Sequence, residues 1–428
     1  MKRSSDRILS THSGSLPRPA DIRTMVGLNP GVRDPAADAA LLKNAVNDVV
    51  KKQLDIGLDV VDDGEFSKPS FVTYIRNRLG GLEPIGGTRS AHWGASRDSR
   101  QFPEYYSKQV VGAVGQLNYG CTGAIHYKGL AHLQTDLDNL KAALSGSTAE
   151  AFVPAIAPAN IEGWNVNRYY ATEEEYRIAI ADAMRVEYKA IIDAGFLLQV
   201  DDPRLVTYWM MRPDLTLAEC RKWCNMQVEV LNHALRGLPR DRIRYHTCYS
   251  IDSGPRVNDM PAKDVIDILM KIHAGAFSFE ASNPRHEHEW TVWRDAKRPD
   301  GTILIPGLVT HSTLLVETPE LVAERLLKYV DFAGVENVIA GNDCGFASFA
   351  GNQDIDPQIA WLKLEALVKG TELATRQLKA RRKPAAKKPA ARKQAAAAKP
   401  RAAKKTAAKR KSPARKAKAS KATKGKRR

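Results

Sequence analysis

The stretch that decides the fold is Arg242–Gly254, RIRYHTCYSIDSG, which begins as a β-strand and ends in a polar loop. Side chains two residues apart on a strand project from the same face, so His246 and Cys248 point the same way. One nitrogen and one sulfur ligand at a strand end make half of a tetrahedral zinc site. The alternative is a satisfied core histidine beside a buried cysteine. The choice depends on whether neighbouring strand ends supply further ligands.

Two later segments supply such ligands. Glu280 follows the apolar run AFSF, and Cys344 ends the run NVIAGNDC. Each run follows a helix-like segment, so each residue belongs at the carboxyl end of a strand in a parallel barrel, near His246 and Cys248. Structural zinc sites usually draw on cysteines paired closely in sequence, whereas these ligands are spread over about 100 residues. The set predicts a catalytic zinc site in which Glu280, the harder and more labile ligand, yields to an incoming thiol.

Eight strand signals alternate with helix signals along the chain. This alternation predicts a parallel sheet and, at eight strands, a closed (β/α)8 TIM barrel. A long excursion, consisting of Phe71–Ser107 and a hairpin within Val110–Tyr127, separates the second strand from the third. The eight signals are Ile8–Ser13, LDVV from Leu58, Ala151–Ala157, LLQVD from Leu197, the opening stretch, AFSF from Ala276, ILIPGLV from Ile303 and NVIAG from Asn337.

Acidic residues follow the second and the fourth predicted strands. LDVVDDGEF places Asp62, Asp63 and Glu65 after the second strand, and LLQVDDP places Asp201 and Asp202 at the end of the fourth. Polar residues at the carboxyl ends of barrel strands are typical of an active site, whereas acids elsewhere usually lie in a solvated loop. We therefore expect these acids to face a substrate.

Two loops have less specific patterns. Gly14 and Ser15, in the loop after the first strand, leave backbone N–H groups free, which suits a carboxylate, although an ordinary turn is the alternative. The segment RHEHEW, Arg285–Trp290, contains His286 and His288 but lacks a convincing third metal ligand. We expect this segment to form a solvated or substrate-lining loop.

The charge of the chain is divided unevenly. The 428 residues carry a formal charge of +17, but residues 376–428 hold 24 of the 65 Lys and Arg residues and none of the 48 acids. The remaining body, residues 1–375, therefore has a net charge of −7. A tail of Lys, Arg, Ala and Pro cannot bury enough apolar surface to fold, so we predict disorder. The Lys and Arg side chains of this tail predict sequence-independent binding to DNA or RNA through phosphate contacts. The alternative is a solubilising extension without a partner.

The cysteines and the hydropathy indicate the compartment. An odd number of cysteines without a disulfide framework predicts a reducing environment. No apolar run reaches the roughly 18 residues that span a bilayer, and the start MKRSSDRILSTHSG lacks the apolar core of a signal peptide. We expect a cytoplasmic protein without a membrane partner, and association with the nucleoid through the tail is compatible with this. The five cysteines are Cys121, Cys220, Cys224, Cys248 and Cys344.

Six motifs occur in an order that resembles the catalytic, C-terminal half of cobalamin-independent methionine synthases. They are THSGSLPRP, DGEF, LQVDDP, HTCYS, FSFEAS and NDCGF, and the resemblance covers about residues 6–375. It implies a (β/α)8 barrel enzyme with a zinc cofactor that transfers a methyl group to the thiol of homocysteine. The donor that it implies is 5-methyltetrahydropteroyltriglutamate.

The resemblance also implies roles for individual residues. The chain has no room for the second, N-terminal barrel of the family, and the spacing around the helper histidine differs. Two alternatives stay open: alkyl transfer to another thiol, such as coenzyme M attacking an epoxide, and a degenerate barrel that acts with nucleic acid through the tail. The implied roles are zinc binding by His246, Cys248, Glu280 and Cys344, carboxylate binding by Gly14 and Ser15, ammonium binding by Glu65 and Asp201, and helper-acid catalysis by His311.

Overall fold

A computed structural model describes residues 1–27, 33–88, 95–108, 117–250, 254–351 and 355–382. The described residues form one compact unit, Met1–Arg382. The last helix ends at Arg382, past residue 376, where the tail was predicted to begin. The rest of the predicted disordered tail, residues 383–428, lies outside the described residues.

Strands and helices alternate along the described chain. The strands are β1 Leu9–Ser10, β2 Val60–Val61, β3 Leu79–Thr88, β4 Leu117–Tyr127, β5 Glu150–Ile156, β6 Asn165–Asn167, β7 Leu197–Asp201, β8 Ile243–Thr247, β9 Ala276–Phe279, β10 Ile303–Pro306 and β11 Ile339–Ala340. The helices are α1 Ala20–Val26, α2 Pro35–Asp55, α3 Ile75–Arg78, α4 Arg97–Gln101, α5 Pro103–Tyr106, α6 Leu130–Ala143, α7 Pro158–Trp164, α8 Glu173–Asp193, α9 Pro203–Met211, α10 Leu217–Leu235, α11 Ile266–Leu269, α12 Trp290–Asp295, α13 Pro319–Ala333 and α14 Pro357–Arg382.

Parallel strands form a curled sheet. Six of them pair in the order β10-β9-β8-β7-β5-β2, and β1 pairs with β11 in a separate two-stranded sheet. Each of the eight predicted strand segments overlaps one of these strands. The carboxyl ends of parallel strands meet at one edge, which brings the loops after them together. Isolated parallel bridges join the strand pair to both edges of the larger sheet: Thr11–Val60 next to β2, and Leu304–Val338 and Gly307–Gly341 next to β10.

A buried arginine links β8, β5 and the loop that follows β1 across the interior. Arg244 on β8 donates hydrogen bonds to Oγ1 of Thr11 at 3.0 Å and to the carbonyl of His12 at 2.8 Å. Its guanidinium also lies 4.0 Å from the centre of the Phe152 ring on β5. Because a buried cation is stable only with such partners, these contacts fix the start of the chain against β8.

Side-chain hydrogen bonds define the starts of the two longest helices that cover the sheet between β5 and β8. Thr172 and Glu175 form a capping box at α8, and Thr216 and Glu219 form another at α10. In each case the hydroxyl accepts from one orphan N–H and the carboxylate from another. The described helices include none with the length and apolar composition needed to cross a membrane.

The strand pairing between β2 and β5 differs from the predicted hairpin. The segment Leu117–Tyr127 is one continuous strand, β4, and its antiparallel partner is the earlier strand β3. Residues 109–116 of the predicted hairpin lie outside the described residues. Gly120 lies inside β4 because β6 approaches it closely: a β-carbon there would lie 3.0 Å from the carbonyl oxygen of Val166. The glycine therefore allows close backbone contact and does not mark a turn.

Candidate active site

The ends of β8 and β11 bring three metal-ligating side chains together. The ligand atoms of His246, Cys248 and Cys344 all lie within 4.8 Å of one another, and all three residues are buried. The two Sγ atoms are 3.0 Å apart. Nδ1 of His246 lies 3.0 Å from the hydroxyl of Ser278 on β9, which orients Nε2 as the free ligand atom. One imidazole nitrogen and two sulfurs fit zinc.

Asp343 fixes the loop that carries Cys344. Its Oδ1 accepts hydrogen bonds from the backbone N–H groups of Ala281 at 2.8 Å and Ser282 at 3.0 Å. Its Oδ2 accepts from the hydroxyl of Ser282 at 2.8 Å. Burial, with a further contribution from Glu280, raises the pKa of Asp343 to about 7. These contacts hold the end of β11 against the end of β9.

The fourth predicted ligand, Glu280, is bound by protein groups. Its carboxylate accepts from the backbone N–H of Tyr249 at 2.6 Å and from Nδ2 of Asn283 at 3.0 Å. The guanidinium of Arg256 lies 3.4 Å away. Burial opposes ionisation, but Arg256 and the other favourable contacts of the carboxylate together outweigh it, and the pKa of Glu280 is lowered to about 2. Glu280 lies outside the cluster of three ligands, and zinc binding by this residue stays a prediction.

A buried network of ion pairs lies behind Glu280. Nε of Arg256 donates to Oδ2 of Asp259 at 2.9 Å. The two ring nitrogens of His286 lie 3.1 Å from Oδ2 of Asp259 and 2.8 Å from Oε2 of Glu289. Burial lowers the pKa of His286, but the two acids outweigh it and raise the value to about 9. The expected solvated loop is therefore wrong for His286, because Asp259 from another loop and Glu289, three residues further along the chain, enclose it.

Glu65 approaches the same site from the end of β2 in an unusual backbone conformation. Its φ is 59°, which non-glycine residues rarely adopt. Its N–H donates to Oδ1 of Asp63 at 2.8 Å, and Arg18 donates to its carbonyl at 2.8 Å. Nζ of Lys68 lies 3.3 Å from Oε2. Such a conformation persists only where its surroundings fix it, and it frequently marks a functional residue.

Asp201 ends β7 and faces the same space as Glu65. Its Oδ1 accepts a hydrogen bond from Nε2 of Gln199 at 2.7 Å. Burial, followed by repulsion from Glu65, raises the pKa of Asp201 well above its usual range, and Lys68 offsets this only in part. Two adjacent buried carboxylates favour the binding of a cation.

The loop with Gly14 and Ser15 packs directly against Glu65. Gly14 has φ +121°, and a β-carbon there would lie 2.9 Å from Oε1 of Glu65, so both the backbone and the space require glycine. The N–H of Gly14 donates to Nδ1 of His12 at 3.2 Å, so the expectation that this N–H group is free is wrong. The hydroxyl of Ser15 lies 3.5 Å from that of Ser348. Ser15 lines the cleft that also contains Glu65, which is where the sequence predicted it.

His311 does not line this cleft itself, but it contacts a residue that does. Its Nε2–H donates to the carbonyl of Ser250, a residue of the cleft wall, at 3.0 Å. Its Nδ1 is buried and has no hydrogen-bond partner among the described residues. Burial lowers the pKa of His311, so the neutral form is favoured at neutral pH. The role of His311 as helper acid stays a prediction.

One cleft, with about 860 Å³ of empty space that is continuous with solvent, lies at this edge of the sheet. The three metal-ligating residues and the two acids form one part of it. Helices α7 and α9 and aromatic side chains form the rest. The residues of this second part are Phe71, Asn160, Trp164, Pro203, Arg204, Thr207, Met211 and Phe349. The sequence reasoning missed them, although Pro203 and Arg204 directly follow the predicted strand end at Asp201 and Asp202.

A curled parallel sheet with a buried nitrogen–sulfur cluster at its carboxyl edge defines an α/β enzyme with a metal-dependent active site. The chain belongs to the family of cobalamin-independent synthases, whose catalytic-domain model matches residues 8–360. The match spans most of the chain and includes every predicted site residue.

Curated relatives and solved structures agree with this family. The chain is 26% identical over 371 residues to a methionine synthase of Thermococcus kodakarensis, with 85% of this chain and 93% of the relative covered. It is also 26% identical over 377 residues to a methionine synthase of Sulfolobus acidocaldarius, with 86% and 93% covered. A B12-independent methionine synthase from Shewanella sp. W3-18-1, solved with selenomethionine, has a TM-score of 0.67 at 18% identity, covering 87% of this chain and 99% of that chain. This last likeness shows the fold alone.

Proposed function

We propose that this protein is a zinc-dependent methyltransferase that methylates the thiol of homocysteine and so forms methionine. The observation that carries the proposal is the presence of a nitrogen–sulfur cluster, His246, Cys248 and Cys344, in the same cleft as the carboxylates of Glu65 and Asp201. The methionine synthases among the relatives support it. We also propose that the eight parallel strands close into a complete (β/α)8 barrel, which the bridges at both sheet edges support.

The metal would be zinc, held by Nε2 of His246 and by the thiolates of Cys248 and Cys344. A bound zinc ion deprotonates a coordinated thiol at neutral pH and thereby supplies a thiolate nucleophile. Glu280 would be the exchangeable fourth ligand. Arg256 gives its carboxylate a second set of partners, so that a substrate thiol can take its position.

Homocysteine fits the polar side of the cleft by charge. Its ammonium group would bind between Glu65 and Asp201, and its carboxylate would bind at Gly14 and Ser15. A sulfonate thiol such as coenzyme M has no ammonium group, so it would leave Asp201, which forms no ion pair with any described residue, without a cation. His311 would act as the helper acid through a proton that Nδ1 takes up and passes on, while its Nε2–H stays bonded to the carbonyl of Ser250.

A calorimetric titration with homocysteine and with coenzyme M, each with and without zinc, tests the thiol. We expect zinc-dependent binding of homocysteine and much weaker binding of coenzyme M. Methionine formed from homocysteine and 5-methyltetrahydropteroyltriglutamate, detected by mass spectrometry, tests the reaction. Tighter binding of coenzyme M than of homocysteine would refute the proposed substrate.

Metal analysis of the purified protein tests the zinc ligands. We expect about one zinc ion per chain and its loss from a Cys248→Ser, Cys344→Ser double variant. Cys220→Ser is the matched control, because Cys220 is also buried but lies in α10 and not in the cleft. Stoichiometric zinc in the double variant would contradict the assignment.

The basic tail supports a separate proposal. We infer that residues 1–375 form the catalytic domain and that residues 376–428 bind nucleic acid through phosphate contacts. The 24 basic residues and the absence of acids in that segment support this, since the body, with its net charge of −7, would be repelled by nucleic acid. A gel-shift series should show binding by the full chain, and not by a chain ending at residue 382, that weakens by several powers of ten as salt rises. Equal binding by the two would refute the role of the tail.

A further inference from the structure

Arg204 is a cationic side chain of the cleft for which the proposed chemistry has no role. It lies in the first turn of α9, directly after the strand end at Asp201 and Asp202. Its Nε is buried without a hydrogen-bond partner. Within the part of the chain that the structure describes, its guanidinium forms neither a hydrogen bond nor an ion pair. Most buried or half-buried guanidinium groups have such partners, so this one is available to a ligand.

The surroundings of Arg204 hold the guanidinium in place without neutralising it. Its Cζ lies 5.6 Å from the ring centre of Tyr208 and 5.8 Å from that of Trp223. A β-carbon at Gly163 would lie 2.3 Å from Cζ, so the guanidinium packs directly on the backbone of α7. Aromatic faces and a glycine are contacts that orient an arginine while its N–H donors stay unused.

The acid that most favours the charge of Arg204 already has other partners. This acid is Glu162, yet burial prevails over it and lowers the pKa of Arg204. Oε1 of Glu162 accepts from Arg177 at distances of 2.7 and 3.0 Å, and Oε2 accepts from Gln227. Glu162 is thus neutralised elsewhere, and Arg204 keeps an unpaired positive charge at the cleft wall.

We propose that Arg204 binds an anionic group of the methyl donor, namely a carboxylate, phosphate or sulfonate, while an apolar part of the donor packs against Trp164 and Phe349. The inference rests on the proposed function, in which both charged groups of homocysteine already have partners at Gly14, Ser15, Glu65 and Asp201. The unused cation therefore belongs to the second substrate. Guanidinium groups bind such anions with two charge-assisted hydrogen bonds, which discriminate strongly against neutral analogues.

A pair of matched probes tests this inference without turnover. The probes are 4-aminobenzoylglutamate, an aromatic dianion, and its neutral diamide, titrated by fluorescence into the full-length protein. We expect the dianion to bind on the order of tenfold more tightly than the diamide, and Arg204→Gln to abolish the preference. Arg204→Lys should keep part of it, which separates lost charge from misfolding.

Arg212→Gln is the matched control variant. Arg212 ends the same helix and contacts the same ring of Tyr208, but it is already paired with Asp214 and lies outside the cleft lining. This variant should leave the preference unchanged. Equal binding of the two probes by the unaltered protein, binding of neither probe, or an unchanged preference in Arg204→Gln would overturn the inference.

The same titration in saturating homocysteine identifies the source of the anion. If Arg204 belongs to a donor site, the dianion should bind equally well while homocysteine is bound. Displacement of the dianion by homocysteine would assign Arg204 to the thiol substrate and overturn the assignment to the donor. The readout requires no methyl transfer. Failure of methionine formation would therefore count against the proposed function, whereas a failed binding test would count against the role of Arg204. The two failures can be told apart.

Discussion

Buried carboxylates on the two sides of the cleft differ in how the protein neutralises them. On the metal side, Glu280 accepts hydrogen bonds from Tyr249 and Asn283 and lies 3.4 Å from Arg256, and its pKa is lowered to about 2. On the opposite side, Asp201 forms no ion pair with any described residue, and burial and Glu65 raise its pKa well above the usual range. The first carboxylate has its counter-charge within the protein, and the second lacks one.

The difference indicates what each side is built to receive. A carboxylate with an internal partner can leave and rejoin a metal without becoming an isolated buried charge. A carboxylate without one keeps a high pKa until a cation arrives, and the ammonium group of an amino acid is such a cation. The metal side therefore balances the charge of Glu280 with protein groups, while on the acid side Asp201 depends on the substrate for its cation.

Removal of Arg256 should have the largest effect. Arg256→Met leaves Glu280 as an unpaired buried charge, which should lower the free energy of unfolding of the zinc-free protein by about 3–5 kcal/mol. The loss should be smaller with zinc bound, because the metal would supply the missing positive charge. Urea denaturation with and without zinc measures both values.

Arg177→Met is the matched control for the Arg256 variant. It breaks the ion pair with Glu162, which is less buried, and should cost no more than about 1 kcal/mol. If both variants lost the same stability, Glu280 would not depend on Arg256, and the contrast between the two sides would fail.

Changes on the acid side should affect binding more than folding. Asp201→Asn and Glu65→Gln should each weaken homocysteine binding by roughly 2–5 kcal/mol while zinc content stays unchanged, because each removes a partner of the ammonium group. Calorimetry and metal analysis measure the two quantities. A thiol without an ammonium group, 3-mercaptopropionate, is the control ligand and should bind all three proteins equally. Unchanged homocysteine affinity in both variants would remove the acid side from the substrate site.

The sequence was sufficient for the parts of the site that follow from strand geometry. The two-residue spacing of His246 and Cys248 predicted that they share a face, and the order of parallel strands predicted that Cys344 would join them. The same reasoning placed Glu65 after β2 and Asp201 at the end of β7, at the same edge of the sheet with β5 between them. In each case a local pattern determines the position, so no long-range information is needed.

The parts that the sequence did not reveal depend on contacts between loops. Nothing local indicates that Arg256 pairs with Glu280, or that His286 contacts Asp259. The free guanidinium of Arg204 is equally hidden, because it becomes visible only when Glu162 is seen to be occupied by other residues. Partner choice among charged loop residues is a tertiary property, and composition or periodicity does not contain it.

The smallest expected effect concerns Asp63, which tests whether the acid side is under strain from its own charge. Asp63 is buried near Asp136, Lys68 and Glu65. Burial, with a contribution from Asp136, raises its pKa from 3.8 to about 6. Between these two values the folded protein binds the proton more tightly than the unfolded chain, so ionisation of Asp63 lowers stability as pH rises from about 4 to about 6. Below this pH window Asp63 is protonated in both the folded and the unfolded state. Above the window the loss of stability stays constant.

Asp63→Asn should remove this pH dependence while keeping the oxygen that accepts from the N–H of Glu65 at 2.8 Å. The variant should gain stability relative to the unaltered protein as pH rises through the window, by about 1–3 kcal/mol in total, and the gain should then level off. Urea denaturation at several pH values measures it, and Asp193→Asn, at an exposed aspartate that ends α8, is the control and should show no such trend. The contrary result is a gain in stability that is the same at every pH, or that grows as pH falls. It would mean that the protein neutralises Asp63 as it neutralises Glu280. The two sides of the cleft would then not differ in how their carboxylates are balanced.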